Sequence, residues 1–229
     1  MLYTEQSVRD NIRNREGKRV FYQAPGDTLT PGARDYLTRE RIQILTTDQI
    51  PRGHRLACGA TMAEKPEHMT HLNSDLLVPK THPRIALRGA LDTLEAELLL
   101  CAAQEPDLRG PLTEILELAR QILRCEVLEE PLSTGKLCGL TLRELRSHSH
   151  RPQDFYGIPH FMPQPTDPIT ILRLNRCRTI ARWAELQAAH AFTAPDLTCT
   201  RTDLLQALNR ISSMLYILQI RQKADRQKE

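Results

Sequence analysis

The chain has 229 residues, of which 40% are hydrophobic and 26% charged, with a net charge of +3. That size suits one large domain, or a domain with a smaller appendage, and the balance is that of a soluble globular protein. The small charge, with no basic run carrying interleaved aromatics, argues against nucleic acid; no apolar run approaches the ~20 residues that cross a bilayer, and Met1 to Asp10 has no signal-peptide core.

A cytoplasmic protein is therefore expected. Aromatics are only 4% of the chain, and many aliphatic positions are leucine or isoleucine at helical spacing, which points to a helical core. Six cysteines (Cys58, Cys101, Cys125, Cys138, Cys177 and Cys199) have no close pair, the pattern of reduced core thiols rather than disulfides.

In chain order, Ser7 to Asn14 reads as a helix and Arg19 to Gln23 as a strand. Thr30 before Pro31 reads as an N-cap and first helical residue of a helix ending near Arg41, and Ile42 to Leu45 as extended. From Thr46 to Lys65 the punctuation by Pro51, Gly53 and Gly59 predicts a linker or site loop. From Lys80 onward the pattern is helical: Pro83 to Gln104, Leu112 to Leu128, Thr141 to His150, Ile171 to His190 and Asp203 to Arg221. Thr141 with Glu144 and Thr200 with Asp203 resemble capping boxes, and Asp167 before Pro168 reads as an N-cap. The expectation is an all-α fold, a five-helix bundle over 67–229, preceded by a small mixed α/β segment and linker over 1–66.

Two features suggest chemistry. Arg178, Arg182 and Glu185 fall four and three residues apart on one helix face, continuing the row of Ile171 and Leu174. Desolvated guanidinium groups need acceptors, and a phosphate chain would supply them. On the last helix Leu205, Asn209, Ser212, Ser213, Tyr216 and Ile220 form a face with a polar middle. Between Arg151 and Pro168, five prolines stand among Phe155, Tyr156, His160 and Phe161, predicting a semi-rigid lid.

Metal ligation has less to build on. His54, Cys58, His68 and His71 are the candidate ligands, but one cysteine and three histidines at these spacings do not reproduce the paired spacing of a structural zinc site. No glycine-rich phosphate loop is present and no cysteine or serine is marked as a nucleophile.

The run Arg178-Thr179-Ile180-Ala181-Arg182-Trp183-Ala184-Glu185 resembles the Arg-Thr-x-x-Arg-x-x-Glu helix of ATP:cob(I)alamin adenosyltransferases of the propanediol-utilisation type. Leu208-Asn209-Arg210-Ile211-Ser212 is similar to their Leu-Asn-Arg-Leu-Ser signature. Lys80-Thr81-His82-Pro83-Arg84-Ile85 followed by Gly89-Ala90-Leu91-Asp92-Thr93-Leu94 resembles the start of their first long helix. The resemblance covers about Thr70 to Ile220, and the N-terminal segment with Ser213 makes the ethanolamine-utilisation branch the nearest match. Of the phosphate loop of the propanediol type only Thr70 and Lys80 are retained, without its glycines. The Cys-Cys-x-x-Cys cluster of the ethanolamine type is reduced to Cys58, so no transition metal is carried over.

The resemblance implies that cobalt(I) of reduced cobalamin attacks the 5′-carbon of ATP, with Mg2+ on the phosphates. It implies catalytic roles for Arg178 and Arg182, and ATP contacts for Thr70, Lys80, Arg182, Glu185 and Asn209. Phe161, with Phe155 and Tyr156, is implied at the corrin. Asp92 is implied to pair with Arg178 across a subunit boundary, in a homotrimer or else a dimer. Further implied partners are a reductase or a cobalamin-dependent acceptor enzyme, and a bacterial microcompartment. Two other classes remain open at this point: a helical scaffold, and a metal-binding regulator built on Cys58 and the histidines.

Overall fold

The computed structural model describes residues 1–15, 18–46, 53–73 and 76–226. The chain divides into two compact units: Met1–His82 with Glu126–Glu130, and Pro83–Cys125 with Pro131–Glu229. Residues 67–82, expected with the bundle, therefore belong to the first unit, because they pair into one of its sheets.

In the first unit β1 (Leu2–Tyr3) leads into α1 (Glu5–Asp10), which starts earlier than expected because the Thr4 side chain accepts the Ser7 amide as an N-cap. The chain then leaves the helix, and β2 (Arg13–Arg15) pairs antiparallel with β3 (Lys18–Gln23). β4 (Thr28–Leu29) precedes α2 (Pro31–Arg39), which begins as expected with Thr30 capping Ala33 and Pro31 at the first position. β5 (Gln43–Thr46) lies parallel to β3. Val8, Phe21, Ala33, Tyr36 and Leu37 form the core of this part.

Residues 47–52, part of the expected linker, lie outside the described residues. The rest of that stretch is not a plain loop. It supplies β6 (His54–Leu56) and β7 (Thr61–Met62), which join β8 (Met69–Asn73) and β9 (Leu76–Pro79) in a sheet of order β7-β6-β9-β8. Strands this short have little periodicity of their own; β6–β7 and β8–β9 pair as hairpins, and the parallel β6–β9 pairing joins the two.

The second unit is the expected bundle. It contains α3 (Pro83–Gln104), α4 (Arg109–Leu128), α5 (Leu142–His150), α6 (Pro152–Tyr156), α7 (Ile169–Phe192) and α8 (Thr202–Arg226). Leu87, Leu91, Leu94 and Leu98 of α3, Leu112, Ile115 and Ile122 of α4, and Leu204, Leu208, Ile211 and Leu215 of α8 fill one core. Each such side chain contributes about 1.5–3 kcal/mol by leaving water, which outweighs any single polar contact here. Between α3 and α8, α7 presents Cys177, Ala181, Ala184 and Ala188, small residues that permit close helix approach.

The core row of α7 corrects the expected arginine placement. At about 100° per residue, Ala181 returns to within about 20° of Leu174, while Arg178 and Arg182 rotate about 40° and 80° the other way. The arginines consequently flank the core, with Arg178 half-buried and Arg182 exposed.

Helix starts show the same competition between local and distant partners. Thr141 and Glu144 form a complete capping box. Thr200 and Asp203 do not: the Thr200 hydroxyl donates to the Phe192 carbonyl, and Asp203 accepts the Leu132 amide and ion-pairs with Arg201. Asp167 likewise leaves the cap position to Pro168, because its carboxylate takes the Gln164 amide and Lys223. The expected lid is not structureless either. It begins with α6, turns at Gly157 in a left-handed conformation (φ 69°) and buries Ile158 in the next residue.

Candidate active site

The two motif helices, α7 and α8, lie against each other and form a cleft of about 220 Å³ with the end of α5 and the proline loop. Ser149, His150, His160, Arg178, Arg182, Ser212, Ser213 and Tyr216 line it. Among the described residues of that lining there is no carboxylate.

Arg178 is held on its own helix, where Nε and a terminal nitrogen donate to Asn175 Oδ1 at 3.1 and 3.0 Å. Burial lowers its pKa, the Arg182 charge lowers it further, and Tyr216 opposes both. Arg182 makes no ion pair among the described residues. Two guanidinium groups on adjacent turns, with an amide oxygen as the nearest acceptor, leave most of their donors for an anion.

One turn further along α7, Glu185 accepts the side-chain amide of Asn209 at 2.8 Å. Asn209 in turn accepts from the neighbouring Arg210 at 2.5 Å. Arg210 is 6% exposed and its Nε has no partner. Burial lowers its pKa, as does the Arg146 charge, with Glu185 pulling the other way. Spacing alone had not singled out Arg210; its place in Leu208-Asn209-Arg210-Ile211-Ser212 was the available signal. Tyr216, His150 and His160 were not assigned to this cleft from sequence either, because their convergence depends on the path of the loop.

Phe161 reaches this edge of the site. It is half-buried beside the Tyr216 ring, with centroids 6.0 Å apart, and Lys223 Nζ lies 4.3 Å from its own centroid. Phe155 and Tyr156 are engaged elsewhere on the loop. Phe155 stacks on His148 at 3.8 Å, and the Tyr156 hydroxyl meets His148 Nδ1 at 2.8 Å.

Thr70 and Lys80 belong to the first unit. Thr70 sits on β8 opposite Val78, and Lys80 pairs with Glu67 at 3.2 Å on an exposed surface. Asp92 is exposed on α3 and does not meet Arg178 within the chain, whose partner is Asn175. His71 and His54 approach to 3.0 Å between Nε2 and Nδ1, Cys58 is exposed, and no three His, Cys, Asp or Glu side chains converge as a metal site among the described residues.

The fold and cleft define a helical-bundle protein with an arginine pair in a cleft bordered by a proline-rich loop. The chain belongs to the cobalamin adenosyltransferase family, whose model matches residues 60–221. It is 30% identical over 242 residues to corrinoid adenosyltransferase EutT of Salmonella typhimurium, covering 95% of this chain and 90% of that one. It is 29% identical over 243 residues, with the same shares, to corrinoid adenosyltransferase EutT of Escherichia coli K12. Among solved structures, two variants of a PduO-type ATP:corrinoid adenosyltransferase from Lactobacillus reuteri, each complexed with cobalamin and ATP, share the fold. Both have a TM-score of 0.54 and 17% identity over 70% of this chain, and the match covers 91% and 89% of theirs.

Proposed function

We propose that this chain transfers the 5′-deoxyadenosyl group of ATP to cob(I)alamin, forming adenosylcobalamin and releasing triphosphate. The supporting observation is the Arg178–Arg182 pair in a cleft without carboxylates, on the helix that carries the matching family motif. The nucleophile is the substrate's cobalt(I), so the protein's task is to orient ATP and receive the charge that builds on the leaving triphosphate.

Arg178 and Arg182 donate to phosphate oxygens, and Ser212 and Ser213 offer hydroxyls along the same wall. Glu185 and Asn209, already joined, orient the nucleoside end. Arg210 adds positive potential behind Asn209. Magnesium enters on the ATP phosphates. Thr70 and Lys80 are assigned to ATP by the sequence resemblance alone. Phe161 presents the apolar surface against the corrin that displaces the lower cobalt ligand, so that the electron enters a lower-lying orbital. Phe155 and Tyr156 support that loop through His148.

The assembly is a homotrimer with sites between copies, Asp92 of one copy reaching Arg178 of the next. Asp92, exposed and with no ion pair among the described residues, and the exposed Leu99, Leu100, Trp183 and Leu186 on α3 and α7 support that reading. The enzyme serves ethanolamine utilisation in the cytoplasm.

The test is product stoichiometry: one inorganic triphosphate released per adenosylcobalamin, and none without reduced cobalamin. ATP cleavage that ignores cobalamin would overturn the assignment.

A further inference from the structure

Tyr216 stands where the arginine cleft meets the proline loop. Its ring lies nearly parallel to the His160 ring, with centroids 5.9 Å apart and 7° between planes, and it lines the cleft with Arg178 and Arg182. Its hydroxyl is 3.1 Å from His160 Nδ1 and 3.4 Å from the Phe161 amide nitrogen. The other ring nitrogen of His160, Nε2, is 3.1 Å from the His150 carbonyl oxygen.

The donor in each bond follows from what each group can do. A carbonyl oxygen can only accept, so Nε2 carries the proton. In a neutral imidazole Nδ1 is then a lone pair and takes the Tyr216 hydroxyl proton, and the phenol oxygen is left to accept the Phe161 amide. All three donors are used, and the chain of bonds runs from the end of α5 through the loop to α8.

The grip on Phe161 is two-sided. Lys223 lies seven residues beyond Tyr216, two turns along the same face of α8, and places its ammonium over the Phe161 ring while pairing with Asp167 at the end of the loop.

We propose that Tyr216 is a positioning residue whose hydroxyl latches the His160–Phe161 segment to α8, setting the apolar face of Phe161 in register with the arginine clamp. The inference rests on the corrin-facing reading of Phe161. Removing the hydroxyl leaves the Phe161 amide and His160 Nδ1 to seek water, and the segment gains freedom where it has to be held. The loss falls on the step that needs the loop, displacement of the lower ligand of cobalt(II). The charge-controlled step, transfer from cobalt(I), is affected less.

The test compares wild type, Tyr216→Phe, His160→Ala, the double variant and Phe161→Ala, each with ATP and cob(II)alamin. The four-coordinate cobalt(II) fraction is read by electron paramagnetic resonance, and turnover is measured with and without chemical reduction of the cobalamin. Tyr216→Phe keeps the ring and should fold. Its four-coordinate fraction should fall roughly fivefold, the size expected for a lost hydrogen-bonded hydroxyl. Turnover on cobalt(I) should fall by a smaller factor, and the double variant should be no worse than His160→Ala alone, since both substitutions break one chain. A wild-type fraction in Tyr216→Phe beside a collapsed one in Phe161→Ala would overturn the latch and leave the wedge standing. A wild-type fraction in Phe161→Ala would remove the wedge, and with it the latch's role.

Discussion

The side-chain amide of Asn209 on α8 donates to the Glu185 carboxylate on α7 at 2.8 Å, tying together the two helices that carry the family motifs one turn beyond Arg182. A half-buried hydrogen bond to a charged acceptor contributes both stability and geometry. Asn209→Ala should lower unfolding stability by about 1 kcal/mol and raise the KM for ATP by roughly tenfold. Urea unfolding and ATP titration check the two effects separately. A stability loss with an unchanged KM would make the tie purely structural.

Arg182 is exposed and makes no ion pair among the described residues, so its removal leaves no buried acceptor stranded, and alanine is the better helix former. Arg182→Ala should therefore keep its melting temperature and lose about 10²–10³ in kcat, the scale seen when a charge-stabilising donor is deleted. Near-normal kcat in the folded variant would relocate the phosphate clamp.

Asp167 closes the proline loop. The Gln164 amide, and beyond it Lys223, hold its carboxyl below the ordinary aspartate range. A carboxyl with a depressed pKa in the folded state stabilises the fold above its ordinary pKa, and that contribution is lost as the pH falls through the folded value. Asp167→Asn should melt below wild type at neutral pH, and the gap should close as the pH is taken down through the acid range. A gap that is constant with pH would mean that the carboxylate charge is not what holds the loop.

The thiols should separate by environment. Cys58 is exposed, whereas burial, with the nearby Glu114 carboxylate, pushes the Cys138 thiol up to about 12. The hydrogen bond with the Cys101 thiol, and then burial, also raise the pKa of Cys177. At mildly alkaline pH a thiol reagent should label Cys58 in a fast phase that Cys58→Ser abolishes, with half-buried Cys138 reacting more slowly and buried Cys177 only on unfolding. Labelling of Cys138 as fast as that of Cys58 would contradict its raised pKa in a half-buried setting.

What was legible in the sequence followed from local causes. The long helices of the bundle announce themselves by leucine spacing, and Thr30-Pro31 and Thr141 with Glu144 mark starts that formed as expected. The strands from His54 to Pro79 did not, because they are two to five residues long, too short to show an alternation of their own, and only the β6–β9 pairing joins their two hairpins into one sheet. Asp203 and Asp167 have capping chemistry, yet distant groups claimed both carboxylates. The arginine face was visible as a row, but the 3.6-residue turn carries that row off the core line, so its burial was overstated. Tyr216 and His160 lie 56 residues apart and were brought together only by the route of the loop.

Adenosyl transfer in the arginine cleft can be followed by adding ATP to the purified chain with chemically reduced cobalamin under dim light. The cob(I)alamin absorbance should be replaced by the spectrum of a cobalt–carbon bond that light destroys, and the signal should be lost in folded Arg182→Ala. A wild-type protein that binds ATP but forms no light-sensitive product would contradict that transfer.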